Sequence, residues 1–326
     1  MGLPSTSQSA ELGADLLAGV ELGGTKIVCL LGTGPDDIRA SVRVDVREPS
    51  ATLAEAASFF RSALAEGLVP RAVGIGSFGP VDLTVGNPAW GHITTTPKPG
   101  WSGVDVVGPF TDVLGVPAAF DTDVNAAALA EGRWGAARGL ANFVYLTIGT
   151  GIGGGAVAGG RVVHGLGHPE MGHIAVPRVA GDSFPGRCPF HGDCLEGMAS
   201  GPAVADRFGR GAETLTGADL ARAVDLVSRY LAAGLRSITA VLAPQRFVLG
   251  GGLMSMPRVV EATALHTARE LRDYPGVAAH QAAGFVVAAG LGGMAGPAGT
   301  LVLAEQALVE QALAERALAE RALARG

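Results

Sequence analysis

Three glycine turns, each directly after a short apolar run, constrain this chain more than any other feature. Val20–Leu22 runs into Gly23-Gly24-Thr25, and Ile27–Leu31 follows. Phe143–Ile148 runs into Gly149-Thr150-Gly151-Ile152-Gly153-Gly154-Gly155, and Arg246–Leu249 runs into Gly250-Gly251-Gly252. Glycine has no Cβ, so backbone N–H groups in such a turn can approach phosphate oxygens closely. The turns fall in two similar halves of the chain, and the length suits an α/β protein of one large or two ordinary domains. The 50 glycines among 326 residues carry no Gly-X-Y period, so the chain is not collagenous. A hydrophobic share of 48% and a net charge of −6 exclude global disorder. The acidic balance also excludes a general nucleic-acid binder, which needs a basic footprint.

Other elements are legible around these turns. Residues 51–67 and an alanine-rich stretch after Asn125 read as helices, Ala72–Ile75 and Pro117–Phe120 as short strands. Ala156–Ala158 and Arg161–Val163 flank Gly159-Gly160 as a hairpin. Leu220, Val224, Val227, Leu231, Leu235, Ile238 and Leu242 recur at three- and four-residue steps, a long amphipathic helix. Residues 84–102 read as an irregular loop and residues 1–17 as a flexible leader without a secretory signal. Ala282–Ala304 carries no charge, but its six glycines and Pro297 make it a buried loop followed by a helix rather than a membrane span. From Ala304 the chain repeats AEQAL, VEQAL, AERAL, AERAL. Five residues advance a helix by about 140°, so Leu308, Leu313, Leu318 and Leu323 spiral around it instead of forming a stripe. The tail, 304–326, reads as a frayed or solvent-exposed helical extension.

Three constellations carry chemistry. Thr25 and Thr150 add hydroxyl donors to their turns, Lys26 adds a positive charge, and Glu21 can hold a water bound to Mg²⁺. Only Lys26 and Lys98 are lysines in this chain. No G-x-x-x-x-G-K-[ST] occurs, and no G-x-G-x-x-G leads from the first strand into a helix, so neither a P-loop nor a dinucleotide Rossmann site is present. Asp123 stands just past a strand at the mouth of a helix, where it can serve as a general base or as an N-cap; Asp121 and Asn125 can also cap. His173, Cys188, His191 and Cys194 follow H-x14-C-x2-H-x2-C, two imidazoles and two thiolates that suit tetrahedral Zn²⁺. Glu170 and Glu196 bracket this knuckle and can offer hydrogen-bond acceptors to a polyol. Cysteines used this way point to a cytoplasmic protein rather than a disulfide framework; Cys29 reads as an inert core residue.

At this point the residues resemble the ROK family of sugar kinases, repressors and open reading frames, over about Ala18–Ala304. Glu21-Leu-Gly-Gly-Thr-Lys26 resembles its first phosphate motif, Thr147-Ile-Gly-Thr-Gly-Ile-Gly153 the second, and Val248-Leu-Gly-Gly-Gly252 the adenosine motif. Glu170-Met-Gly-His173 and Cys188–Glu196 resemble the E-x-G-H motif and the zinc knuckle. Thr122 before Asp123, the C-P-F-H-G-D-C knuckle, His168-Pro169-Glu170 and Thr96-Pro97-Lys98-Pro99-Gly-Trp101 are similar to the fructokinase branch.

The resemblance implies a two-lobed sugar kinase/actin-like ATPase (ribonuclease H-like) fold. One lobe would span 18–124 with a returning helix at 297–310, the other 125–296 with the knuckle at 173–194. It implies transfer of phosphate from Mg-ATP to a hexose, fructose favoured, by a homodimer with one structural zinc per chain. Asp123 would be the general base. Glu21, Gly23, Gly24, Thr25, Lys26, Gly149, Thr150, Gly151, Gly153, Pro202, Gly250, Gly251 and Gly252 would meet the nucleotide. Gly79, Pro80, Asp123, Glu170, His173 and Glu196 would meet the sugar, and His173, Cys188, His191 and Cys194 would bind zinc. A kinase of glucose, mannose or N-acetylmannosamine, and a non-catalytic sensor of the same fold, are the rival readings.

Overall fold

A computed structural model describes residues 15–272, 274 and 278–323. The first fourteen residues of the expected leader lie outside that range. Strand formation starts at Leu17, one residue before the expected ordered sequence, because Leu17, Ala18, Val20 and Leu22 are all buried. The first sheet contains β1 (Leu17–Leu22), β2 (Lys26–Gly34), β3 (Asp37–Asp45), β4 (Val73–Ser77) and β5 (Ala118–Thr122). The second contains β6 (Phe143–Ile148), β7 (Ile152–Ala158), β8 (Arg161–Val162), β9 (Arg246–Gly250) and β10 (Val286–Ala288).

The strand orders are β3-β2-β1-β4-β5 and β10-β9-β6-β7-β8. In each, the first three strands form an antiparallel meander, and the last two run parallel to the first. The two sheets therefore share one topology, and the first two glycine turns occupy equivalent hairpins, β1 to β2 and β6 to β7. Neither β3 nor β10 was legible. β3 alternates buried and exposed residues weakly, with arginine at 39 and 43. β10 is three residues long and lies inside the uncharged 282–304 stretch, a loop followed by a helix as expected, although the loop on either side of β10 is largely exposed rather than buried. The second glycine run is also shorter as a turn than its sequence implies. Only residues 149–151 turn; Gly153, Gly154 and Gly155 pair with Thr147, Leu146 and Tyr145 as strand.

Helix α1 (Pro49–Ala65) starts where the Glu48 carboxylate accepts from Ser50 N–H and Ala51 N–H, with Pro49 at the first turn. It buries Phe60 between Phe59 and Phe110, the latter on α2 (Gly108–Leu114). Helix α3 (Asp123–Arg133) leaves β5 directly. The short α4 (Leu195–Ala199) and α5 (Gly201–Phe208) precede α6 (Gly217–Leu242), the expected amphipathic helix, and α7 (Val259–Leu271) packs beside it. Helix α8 runs unbroken from Ala295 to Leu323. Its first half packs on β1, β4 and α3, so it carries the chain from the second sheet back to the first. The close crossing requires glycine: a Cβ at Gly299 would lie 1.8 Å from the Ala126 carbonyl oxygen of α3. From residue 309 onward the helix is exposed, and Leu313, Leu318 and Leu323 grow steadily more so, as the five-residue period dictates. Among the described residues, no helix is long and apolar enough to cross a membrane.

Candidate active site

The glycine turns and the β5–α3 junction meet in a cleft of about 440 Å³, lined by Gly24, Thr25, Gly79, Asp123, Gly149, Thr150, Gly151, Gly153 and Glu196 among others. A second cavity, of about 890 Å³, is lined by Gly149, Thr150, Gly201, Pro202, Ala205, Gly252 and Leu253 among others. Gly149 and Thr150 belong to both, so the second glycine turn is the point at which the two spaces meet. Of the third turn, only Gly252 lines a cavity. Gly250 is packed on Tyr145. Gly251, at φ +89°, presses on the backbone of Ile148, where a Cβ would lie 2.4 Å from the carbonyl oxygen.

Local structure resolves the two readings of Asp123. The cap of α3 is Thr122, whose Oγ1 accepts from Asn125 N–H at 3.2 Å. Asp121 is occupied elsewhere: it accepts from Thr122 N–H, Asn125 Nδ2 and His164 Nε2. Asp123 is left at the first helical position with Oδ1 accepting from Val124 N–H at 2.9 Å and the carboxylate at the cleft. Burial pushes its pKa up to about 6, against the pull of that backbone donor.

Other carboxylates converge on the same place. Burial, then the charge on Asp123, pushes Glu21 up to about 7, while Lys26 pulls it down. Glu21 also abuts the first turn of α8, since a Cβ at Gly296 would lie 1.9 Å from its Oε1. Glu170 is pushed up to about 7 by burial, then by Glu196 and Asp123. Glu196 spends one oxygen on Ile152 N–H at 2.9 Å, which braces the second glycine turn. Such a cleft favours divalent cations and hydroxyl donors. Gly23 N–H closes the first hairpin on the Lys26 carbonyl, and Lys98 Nζ donates to the Gly24 carbonyl. Pro80 stands beside the cleft, where its carbonyl accepts from Thr94 N–H and Oγ1.

The knuckle residues also come together. His173 ends a 3-10 turn (Met171–His173) that Glu170 opens. Its Nδ1 lies 3.5 Å from Cys188 Sγ and 3.6 Å from Cys194 Sγ, and His191 Nδ1 lies 3.7 Å from Cys188 Sγ. All four donors fall within 4.8 Å of one another. Tetrahedral zinc with ordinary Zn–S and Zn–N bonds requires an S···N edge of about 3.6 Å. The donor set and its spacing therefore fit that ion. Burial, and then the neighbouring Cys188, pushes the Cys194 thiol up to about 11, so a bound cation would be needed to hold it as a thiolate at neutral pH.

Two groups near the site had no sequence signal. Glu131 is fully buried on α3 with no basic partner among the described residues; it accepts from Ala136 N–H at 2.6 Å, Gly290 N–H at 3.0 Å and Leu291 N–H at 2.9 Å. It ties α3 to the segment that enters α8. Arg207 and Asp182 form a buried pair at 2.9 Å, joined by Tyr230 Oη, which fastens the loop before the knuckle to α5 and α6. Lone charges in a sequence do not announce partners tens of residues away.

Two sheets of one strand order, joined through α8, bring the first two glycine turns to one cleft, an arrangement suited to binding phosphate groups. The model of the ROK family matches residues 17–307, and the chain belongs to that family. It is 40% identical over 290 residues to the fructokinase of Zymomonas mobilis, covering 87% of this chain and 95% of that protein. It is 35% identical over 293 residues to the fructokinase of Pediococcus pentosaceus, covering 90% and 99%. Among solved structures it is similar to the ROK hexokinase of Thermus thermophilus, with a TM-score of 0.71, 29% identity, and 90% and 99% of the chains covered. The ROK glucokinase of Streptomyces griseus, solved with glucose and AMPPNP, superposes with a TM-score of 0.69 at 26% identity over 89% and 99%. The protein is an ATP-dependent sugar kinase.

Proposed function

We propose that this kinase transfers the γ-phosphoryl group of Mg-ATP to the C6 hydroxyl of a hexose, with fructose as the preferred acceptor. The observation that carries the reading is Asp123: Thr122 relieves it of capping, and it stands in a cleft that meets the larger cavity at Gly149 and Thr150. The larger cavity suits the nucleoside, with Pro202 and Gly252 at its wall. The turn amides of Gly24, Thr25, Thr150 and Gly151, with Lys26, hold the phosphates, while Gly23 and Gly149, whose N–H groups close their own hairpins, and Gly153, in the strand behind, shape the two turns. Mg²⁺ bound with ATP would supply charge neutralisation during the transfer, and Glu21 would hold its water shell. Asp123 accepts the C6 hydroxyl proton as that oxygen bonds to the γ-phosphorus and the bond to the β-phosphate oxygen breaks, releasing ADP. Gly79, Pro80, Glu170, His173 and Glu196 orient the sugar. Positioning and charge stabilisation supply most of the rate in such a transfer.

His173, Cys188, His191 and Cys194 would hold one structural zinc, which ties the knuckle to the turn that carries Glu170. His173 turns Nδ1 toward the thiols, which leaves Nε2 to donate to a sugar hydroxyl. Lobes at 18–124 and 125–296 would close on the bound sugar and exclude water. The same reading makes the protein a cytoplasmic homodimer, which light scattering tests. Fructose is favoured by the fructokinases to which the chain is similar over most of its length. The deciding experiment is coupled ADP release against fructose, glucose, mannose and N-acetylmannosamine. Fructose should give the highest kcat/KM; a higher value for another hexose would move the assignment to that sugar, and no sugar-stimulated ADP release would leave a sensor.

A further inference from the structure

His168 lies outside the residues given a role above, yet it is the side chain that joins the two walls of the acceptor cleft. It stands on the segment after β8, and its side chain is only 8% exposed. The Cε1–Nε2 edge of its ring packs against the loop after β4: a Cβ at Gly79 would lie 3.0 Å from its Cε1 and 3.2 Å from its Nε2. Val81 N–H donates to Nε2 at 3.1 Å. An imidazole nitrogen that accepts a hydrogen bond carries no proton, so the neutral ring holds its proton on Nδ1. Nδ1 lies 3.4 Å from Glu170 Oε1 without closing a hydrogen bond, a looseness that substrate-free active sites commonly show, and the Pro169 carbonyl is the ring's other polar neighbour. Burial lowers the ring's pKa, and that keeps this tautomer neutral.

We propose that His168 is a positioning residue for the sugar. Through Val81 it sets the Gly79-Pro80 loop, and through Nδ1–H it aims the Glu170 carboxylate, so that both walls present one geometry to the acceptor. The Val81 end is already braced on its far side by a bridge to Ile93 and by Thr94 N–H on the Pro80 carbonyl. The Glu170 end has no such brace among the described residues. Glu170 is 44% exposed as a side chain, and the ring nitrogen is the polar side-chain atom beside its carboxylate among the described residues. Loss of His168 should therefore act mainly through Glu170. The inference rests on Glu170 being a sugar ligand.

The test is steady-state kinetics of His168→Ala, His168→Gln and Glu170→Gln, with each His168 change also made on Glu170→Gln. His168→Ala should raise KM for fructose by about 10-fold to 100-fold, the range for a hydrogen bond to a charged group, and leave KM for ATP within about twofold. On the Glu170→Gln background the same change should add less than about twofold, because its target is gone. A merely structural His168 would instead lower kcat and thermal stability, and its effect would multiply with that of Glu170→Gln. That multiplication, or an unchanged sugar KM, overturns the proposal. His168→Gln keeps an acceptor for Val81 N–H and carries the same test should the alanine variant not fold. A wild-type protein inactive on every hexose would refute the kinase reading; an active one with normal His168 variants refutes this inference alone.

Discussion

Taking the enzyme from pH 7 to pH 5 should cut kcat/KM for the sugar about tenfold. A base must be ionised to accept a proton. With Asp123 at about 6, the ionised fraction falls from about 0.9 at pH 7 to about 0.09 at pH 5. An aspartate at its ordinary value of 3.8 would lose less than about a tenth over that range. Glu21 and Glu170, both near 7 and both coupled to Asp123, steepen the limb, so its midpoints belong to the group rather than to one residue. The effect on stability has the opposite sign. A carboxyl whose pKa is higher folded than unfolded binds its proton more tightly in the fold. Its contribution is fully present below the unfolded pKa and is lost as pH rises through about 6 to 7. Acid loss of activity therefore does not arise from these groups unfolding the protein, and circular dichroism at pH 5 checks this directly. Asp123→Asn should lose about 10² to 10⁴ in kcat while it stays folded and still binds ATP. The assay is initial-rate ADP release at subsaturating sugar and saturating Mg-ATP. A flat kcat/KM between pH 5 and 7, or more than a tenth of wild-type turnover in Asp123→Asn, refutes the assignment of the base.

Other outcomes follow from single contacts. Glu131→Gln turns one acceptor into a donor facing a backbone N–H and leaves the other bonds uncharged, so urea unfolding should show a loss of about 2–4 kcal/mol; less than about 1 would mean that this buried carboxylate is not the clamp described. Gly299→Ala drives a methyl into the Ala126 carbonyl and should destabilise by about 3 kcal/mol or more, or give no soluble protein; an unchanged melting temperature would contradict the helix crossing. Elemental analysis should find about one zinc per chain, and the Cys188→Ser, Cys194→Ser double variant should lose both metal and activity; an active metal-free protein would refute the zinc site. Truncation after Glu310 removes, among the described residues, only exposed ones and should leave kcat unchanged and the melting temperature within about 2 °C.

Much of the site was readable because its signals are local. Glu21 to Lys26, Gly149 to Gly153 and Gly250 to Gly252 each combine an apolar run with a turn, and both halves of that pattern sit within a few residues. The zinc ligands were readable for a related reason: Cys188, His191 and Cys194 lie on one short loop, and His173 is the only distant member. Asp123 was half readable. Its place at a strand-to-helix junction showed in the sequence, but Asp121, Thr122 and Asn125 were all plausible caps. Only the bonds from Asn125 N–H to Thr122 and from His164 to Asp121 divided the roles.

Sequence alone determined the class of chemistry, because backbone donors for phosphate, thiol and imidazole ligands, and a helix-mouth carboxylate are defined by residue type and short spacing. It also determined that the tail winds without an apolar stripe, since a five-residue period meets a 3.6-residue helix. Tertiary structure alone decided which groups share a cleft. The repeated strand order brings the first two turns into equivalent hairpins, and α8 returns across Ala126 to close them together. It also decided the shifted acidities, which require the burial and mutual charge of Glu21, Asp123 and Glu170, three carboxylates separated by more than a hundred residues of chain between first and last. Long-range burial has no local signature, which is why Glu131, Arg207 and His168 gained a role only when the chain was folded.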